Sequence, residues 1–196
     1  VMTPDEIVKM VDSSPRLRDK CIIVFLSQSG QRIGILTALR VKQIKLALEK
    51  KEYPLIIEIP DILRDSKGVN INKLGETYSF SVGKDSIECL RKMLDERIRD
   101  NEVIDEESWL FKSRSKKLAG KRKNIPDIAN NVRGDPLTRF AMRNIIFFAA
   151  RRAKIQGKAS GKRYEIHPHI FRRYWNMRMQ EAGLSEDLRE YMMGHK

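Results

Sequence analysis

All three histidines of the chain, His167, His169 and His195, fall within its last thirty residues. Arg172 and Arg173 lie among them. Arg172 follows His169 by three positions, a spacing that puts both side chains on one helical face. Far upstream, Arg32 comes just after Gly30 and before an apolar run. These residue types suit a particular chemistry. An imidazole exchanges protons near neutral pH and can donate or accept. A guanidinium grips a planar oxyanion through paired, charge-assisted hydrogen bonds. His167 and His169 are two apart, but no acid or thiol is spaced to complete a metal site, so no metal is expected.

The charge distribution extends this picture. The net charge is +13, from 39 Lys and Arg against 26 Asp and Glu. Residues 1–110 are nearly balanced, with 18 basic and 19 acidic side chains. Residues 111–179 carry 19 basic side chains and only Asp127, Asp135 and Glu165 as acids. A single-signed block of this size, interleaved with core-forming helices, predicts a polyanion-binding face, with nucleic acid as the partner. Apolar residues make up 41% of the chain, enough for one sizeable core, and no apolar run is long enough to span a bilayer. Cys21 and Cys89 both fall in apolar helical patterns. They are expected to be buried thiols in a reducing compartment, with a disulfide disfavoured.

Local signals place the elements that must position these residues. Thr3, Pro4 and Glu6 form a capping-box signature that opens a helix over 3–12. A second helix over 16–29 stops at Gly30, and a short one runs over 33–39. The segments 55–60 and 77–82 are rich in β-branched and aromatic residues and predict two strands. Turn residues lie between them and make a hairpin with a lysine-bearing loop. Helix 84–100 has Ile87, Leu90, Met93, Leu94 and Ile98 on one face. Residues 108–113 form an apolar anchor, and residues 112–136 a basic surface loop. Helix 137–153 is expected to pack through Leu137, Phe140, Ile145 and Phe148. Helices 168–182 and 185–193 close the chain. Trp109, Trp175, Phe147 and Phe148 are core or interface candidates. The fold class is α+β, mainly α-helical, with a small antiparallel sheet.

The residues 27–44, SQSGQRIGILTALRVKQI, and 167–196, HPHIFRRYWNMRMQEAGLSEDLREYMMGHK, resemble the two catalytic blocks of the tyrosine recombinases, the phage-integrase family. The order of the blocks, a hairpin between them and the pair Leu110-Phe111 carry the resemblance across almost the whole chain. It implies a tyrosine-recombinase-like catalytic domain that cleaves and rejoins DNA through a 3′-phosphotyrosyl link, with no cofactor. It further implies that Arg32 and Arg172 clamp the scissile phosphate, that His169 handles the nucleophile's proton, and that His195 donates to the same phosphate. Lys73 is the expected proton donor to the leaving oxygen, with Lys67 second. Lys112, Arg114, Lys116, Lys117, Lys121, Arg122, Lys123 and Arg173 are expected to contact DNA.

The sequence departs from the family pattern in three places. The acid expected three residues after the first arginine is replaced by Ile35, so either another acid serves or Arg32 is held differently. The family's tyrosine after Gly-His is not found before Lys196, so a single catalytic domain that stops short of its nucleophile is expected. The family's N-terminal DNA-embracing domain is also not expected in this chain. Tyr174 and Tyr191 are read as packing residues, and His167 as structural or solvent-facing. The expected partner is a double-stranded DNA target site, with a monomer alone and a homotetramer on DNA. The expected setting is cytoplasmic and DNA-associated. Two alternatives remain: a non-catalytic DNA binder that keeps the phosphate clamp, and a relaxase of the type IB topoisomerase kind.

Overall fold

A computed structural model of the chain describes residues 2–49, 53–113, 135–155 and 166–195. Helix α1 spans Pro4–Asp12 and begins as its sequence dictates. The Thr3 hydroxyl accepts from the Glu6 amide, and the Glu6 carboxylate accepts from the Thr3 amide at 2.7 Å. Helix α2, Leu17–Ser29, is apolar around much of its circumference, which is the pattern of a helix enclosed by others. Cys21, Ile22, Ile23, Phe25 and Leu26 are all buried, and the helix packs against α1 and several of the elements that follow.

Two short helices come next, α3 over Ile33–Ala38 and α4 over Lys42–Glu49. The sequence reading gave no element for α4. Strands β1, Leu55–Ile59, and β2, Tyr78–Val82, pair antiparallel in the register Leu55↔Val82 to Ile59↔Tyr78. Their inward residues alternate, so Ile57 and Phe80 reach the core while Ile56 and Glu58 face out. Phe25 meets Phe80 and Phe111 edge-on, at 5.9 and 6.1 Å between ring centres. This joins α2, the sheet and the anchor at 109–111, whose Trp109, Leu110 and Phe111 are buried as expected.

Helix α5, Lys84–Arg99, buries Ile87, Leu90, Met93 and Leu94. Ile98 does not join them. It is largely exposed, and Arg97 is buried instead. The Arg97 guanidinium donates to the Trp109 and Leu110 carbonyls at 2.9 and 3.0 Å and to the Glu102 carboxylate at 2.6 Å. A buried arginine so fully paired fixes the anchor segment to α5. Cys21 and Cys89 also depart from expectation, because they are joined as a disulfide. Packing of α2 on α5 brings their Cα atoms to 5.4 Å, a closeness that a separation of 68 residues conceals in the sequence.

Helix α6 spans Arg139–Arg152, with Thr138 capping it through the Ala141 amide. Its core face is Met142, Ile146, Ala149 and Ala150, not the expected Phe140 and Phe148, which are exposed. The helix has apolar residues on more than one side. Contact with α1, α2 and α3 selects the smaller ones for the core. Helix α7, His169–Glu181, buries Phe171, Arg172 and Trp175 against α2, and helix α8, Glu186–Met192, packs on α7 and β2. No helix among the described residues is long and apolar enough to cross a membrane.

Candidate active site

The site forms where three chain turns meet. At the first, α2 ends at Gly30 in the left-handed conformation, φ +63°, and the chain turns through Gln31 and Arg32 into α3. At the second, α7 begins at His169. At the third, α8 ends in a Schellman motif: the Gly194 amide donates to the Tyr191 carbonyl at 2.8 Å and the His195 amide to the Glu190 carbonyl at 3.0 Å. Gly194 takes φ +67°, and a Cβ there would lie 2.8 Å from the Tyr78 ring, so β2 also requires glycine at this point.

Two arginines distant in sequence converge on the end of α8. Arg32 Nη1 donates to the Gly194 carbonyl at 3.2 Å. Arg172 Nη2 donates to the preceding carbonyl, that of Met193, at 2.8 Å, and Arg172 Nη1 donates to the Gly30 carbonyl at 3.1 Å. The carbonyls at a helix C-terminus carry partial negative charge, which makes them natural holders of guanidiniums. Arg172 is buried. Its burial, then the charge of Arg32 beside it, draws its pKa down to about 10, so it stays protonated at neutral pH. Arg172 Nη2 also lies 2.7 Å from His195 Nε2, and His195 Nδ1 faces the Glu190 carboxylate.

Behind this cluster lies a buried polar relay. Tyr78 donates to Gln31 Oε1 at 2.8 Å, and Gln31 Nε2 donates to the Met192 carbonyl at 2.7 Å. Burial pushes the Tyr78 hydroxyl up to about 12 despite the nearby arginines, so it serves as a hydrogen-bond donor and not as a phenolate. Gln31 escaped the sequence reading because a glutamine has no distinctive signal until its partners are in place.

A cavity of about 840 Å³ opens in front of these groups, and Arg32, Lys73, His169 and Arg172 all line it. His169 is a solvent-exposed part of its wall. Partial burial, then the charges of Arg172, Arg32 and Arg173, hold its imidazolium pKa below the ordinary value. His167 lines the same wall, its ring 6.1 Å from that of His169. Lys73 is positioned by its neighbour Asn72, which is buried. Asn72 Nδ2 donates to the Pro60 and Glu76 carbonyls at 2.8 and 2.9 Å, tying both ends of the hairpin loop together. Lys67 belongs to the exposed turn closed by the Gly68 amide on the Asp65 carbonyl, and it is not part of the cavity wall.

Arg139, Phe140, Arg143 and Phe147 of α6 also line the cavity; of these, the sequence marks Phe140 as a core residue and Phe147 as a core or interface candidate, and neither arginine. Their regular spacing on one helix was a usable signal, obscured by the assignment of Phe140 to the core. Lys112 forms an ion pair with Glu102 inside the fold, so its charge is already matched. Arg173 is exposed. Arg114, Lys116, Lys117, Lys121, Arg122 and Lys123 lie outside the described residues. Ile35 is buried in the core and brings no carboxylate to Arg32, which is held instead by the Gly194 carbonyl. Tyr174 packs partly against the core as expected, whereas Tyr191 is close to half exposed.

Residues 1–196 match the model of the phage integrase family over their whole length. The chain belongs to the phage integrase family. This integrase-family chain has the fold of solved tyrosine recombinases. It is similar to XerA recombinase at 17% identity and TM-score 0.66, over 99% of this chain and 54% of that one. It is similar to the Tn1549 transposon integrase in complex with circular intermediate DNA at 16% identity and TM-score 0.66, over 100% and 58%. It is similar to XerH recombinase bound to difH substrate at 15% identity and TM-score 0.61, over 99% and 47%. The integrase-family chain thus spans about half the length of these proteins. No curated protein sequence matches it. The expected fold class, a mainly helical domain with one small antiparallel sheet, is the one observed.

Proposed function

We propose that this chain supplies the catalytic domain of a site-specific DNA recombinase, which cleaves and rejoins a phosphodiester through a 3′-phosphotyrosyl intermediate. One observation carries the reading: Arg32 and Arg172, 140 positions apart, hold consecutive carbonyls at the tip of α8 and line one cavity with His169 and Lys73. A phosphate entering that cavity would exchange carbonyl acceptors for its own non-bridging oxygens, which the two guanidiniums bind in the plane they prefer. Attack on phosphorus adds negative charge to those oxygens, and fixed guanidiniums stabilise it without reorganising.

His169, held neutral at physiological pH by its surroundings, is suited to accept the proton of the attacking hydroxyl. Lys73, on the hairpin loop, is suited to protonate the leaving 5′-oxygen. Arg173 and the α6 residues Arg139 and Arg143 extend the positive surface along the nucleic acid. The nucleophile is a tyrosine; Tyr78 is unsuited because its hydroxyl is buried and already donated to Gln31. The substrate is double-stranded DNA, bound as a homotetramer, and the protein acts in the DNA-associated compartment. Transposon integrase and XerH, whose structures contain DNA, support the choice of partner.

The test is covalent capture. The gene product carrying this chain, mixed with a nicked suicide duplex, is expected to form a 3′-linked protein–DNA adduct that Arg172→Ala abolishes. Salt-sensitive binding without any adduct would favour the non-catalytic binder. Relaxation of plasmids regardless of sequence would favour the topoisomerase-like reading.

A further inference from the structure

We propose that Glu190 is the positioning residue for His195, fixing the imidazole in its Nδ1–H form. The inference rests on the phosphate-clamp reading above, but its structural half stands on the unliganded protein. The Schellman motif at the end of α8 puts His195 at the second residue past the helix cap, directly over Glu190, whose carbonyl its amide engages. In such motifs these two positions often share a hydrophobic contact. Here a carboxylate and an imidazole occupy them, and His195 Nδ1 meets Glu190 Oε2.

The tautomer follows from the partners on both sides. Arg172 Nη2 lies 2.7 Å from His195 Nε2, and a guanidinium has donors only, so Nε2 must be the acceptor. The ring proton of the neutral imidazole therefore sits on Nδ1 and is donated to Glu190. When a phosphodiester oxygen takes over the Arg172 Nη2 donor, His195 Nε2 loses the hydrogen bond it accepted. A ring that donates to the phosphate through Nε2 carries both ring protons, and the Glu190 carboxylate, which still accepts from Nδ1, offsets that charge. Among the described residues, Arg172 of α7 and Glu190 meet this ring, while Arg32 ahead of α3 and Tyr78 of β2 stand against the adjoining Gly194. Among these described groups the carboxylate is that of Glu190, and its charge acts on Arg172 as well. An acid behind a histidine that orients it and stabilises its charged form is a recurrent arrangement.

The experiment has two arms. Nitrogen-15 NMR of the His195 ring in the unliganded chain reads the tautomer, in wild type, Glu190→Gln and Glu190→Leu. Wild type is expected to show protonated Nδ1 and unprotonated Nε2. Glu190→Gln, whose amide oxygen still accepts, is expected to keep that form, and Glu190→Leu to show a mixture of tautomers. Affinity for a short duplex is the second arm, with about a 10- to 100-fold loss expected in Glu190→Leu and a smaller loss in Glu190→Gln. Glu190 is partly exposed on α8, and the near-isosteric Glu190→Gln controls for folding. A wild-type ring protonated on Nε2, or a tautomer unchanged in Glu190→Leu, would overturn the proposal. Wild-type protein with the expected tautomer but no DNA affinity would instead refute the functional reading and leave the positioning role of Glu190 supported.

Discussion

Replacing Gly30 by alanine tests the geometry of the site through stability. Gly30 combines a left-handed backbone at φ +63° with close contact to a large side chain. An added Cβ would lie 2.8–2.9 Å from three atoms of the Trp175 indole, a ring that is fully buried and cannot swing away. The left-handed conformation costs a side-chain-bearing residue about 1–2 kcal/mol. Forcing a methyl against a packed ring costs about 1–3 kcal/mol more. The sum is about 2–5 kcal/mol, or about 4–20 °C in midpoint for a chain of this size. Gly183→Ala is the control, because Gly183 has φ +85° with nothing within 4 Å of a Cβ and should show the backbone part alone. Denaturant titration of both variants, with equal slopes, gives the difference due to Trp175. Because the Gly30 carbonyl accepts from Arg172 at 3.1 Å, the same variant should also weaken duplex binding. Equal destabilisation by Gly30→Ala and Gly183→Ala would refute the packing argument.

Arg97→Met should cost about 2–4 kcal/mol, because it removes a buried guanidinium from two carbonyls and from the partly buried Glu102, which keeps Lys112; denaturation against Arg99→Met, at an exposed position, checks this. Burial raises the Glu102 pKa, but Arg97 and Lys112 together outweigh it and hold the carboxyl below its usual 4.5. The stability Glu102 contributes is therefore present above that value and lost as pH falls through the lowered one, a loss that melting curves of Glu102→Gln should not show. His169 has the opposite sign. Its depressed pKa in the free protein rises when an anion offsets the arginine charges, so duplex binding takes up a proton. Affinity should then increase as pH falls through the bound-state pKa and level off below the free-state one, and anisotropy titrations of His169→Asn should lose this slope.

Several features of the chain were legible without coordinates because they are local. The capping box at Thr3 and Glu6, the stop at Gly30, the alternation in both strands and the Ser185 cap each depend on neighbours within a few residues. The same locality made His169 and Arg172 readable as one face, and the order of the blocks brought in Arg32, Lys73 and His195. Errors arose wherever a helix had more than one plausible face. Phe140, Phe148 and Ile98 were assigned to the core by hydrophobicity, yet they are exposed, because neighbouring helices and not the residue's own character decide which side is covered.

The sequence by itself therefore determined most of the elements, though not α4, their order, and the residue types proposed to hold a phosphate. Tertiary structure alone decided that Arg32 and Arg172 grasp adjacent carbonyls, that Cys21 meets Cys89, and that Glu190 stands behind His195. The physical reason is distance along the chain. A cap or a strand is settled by interactions a few residues long, whereas a site that gathers charges 140 residues apart exists only once the core has brought its pieces together.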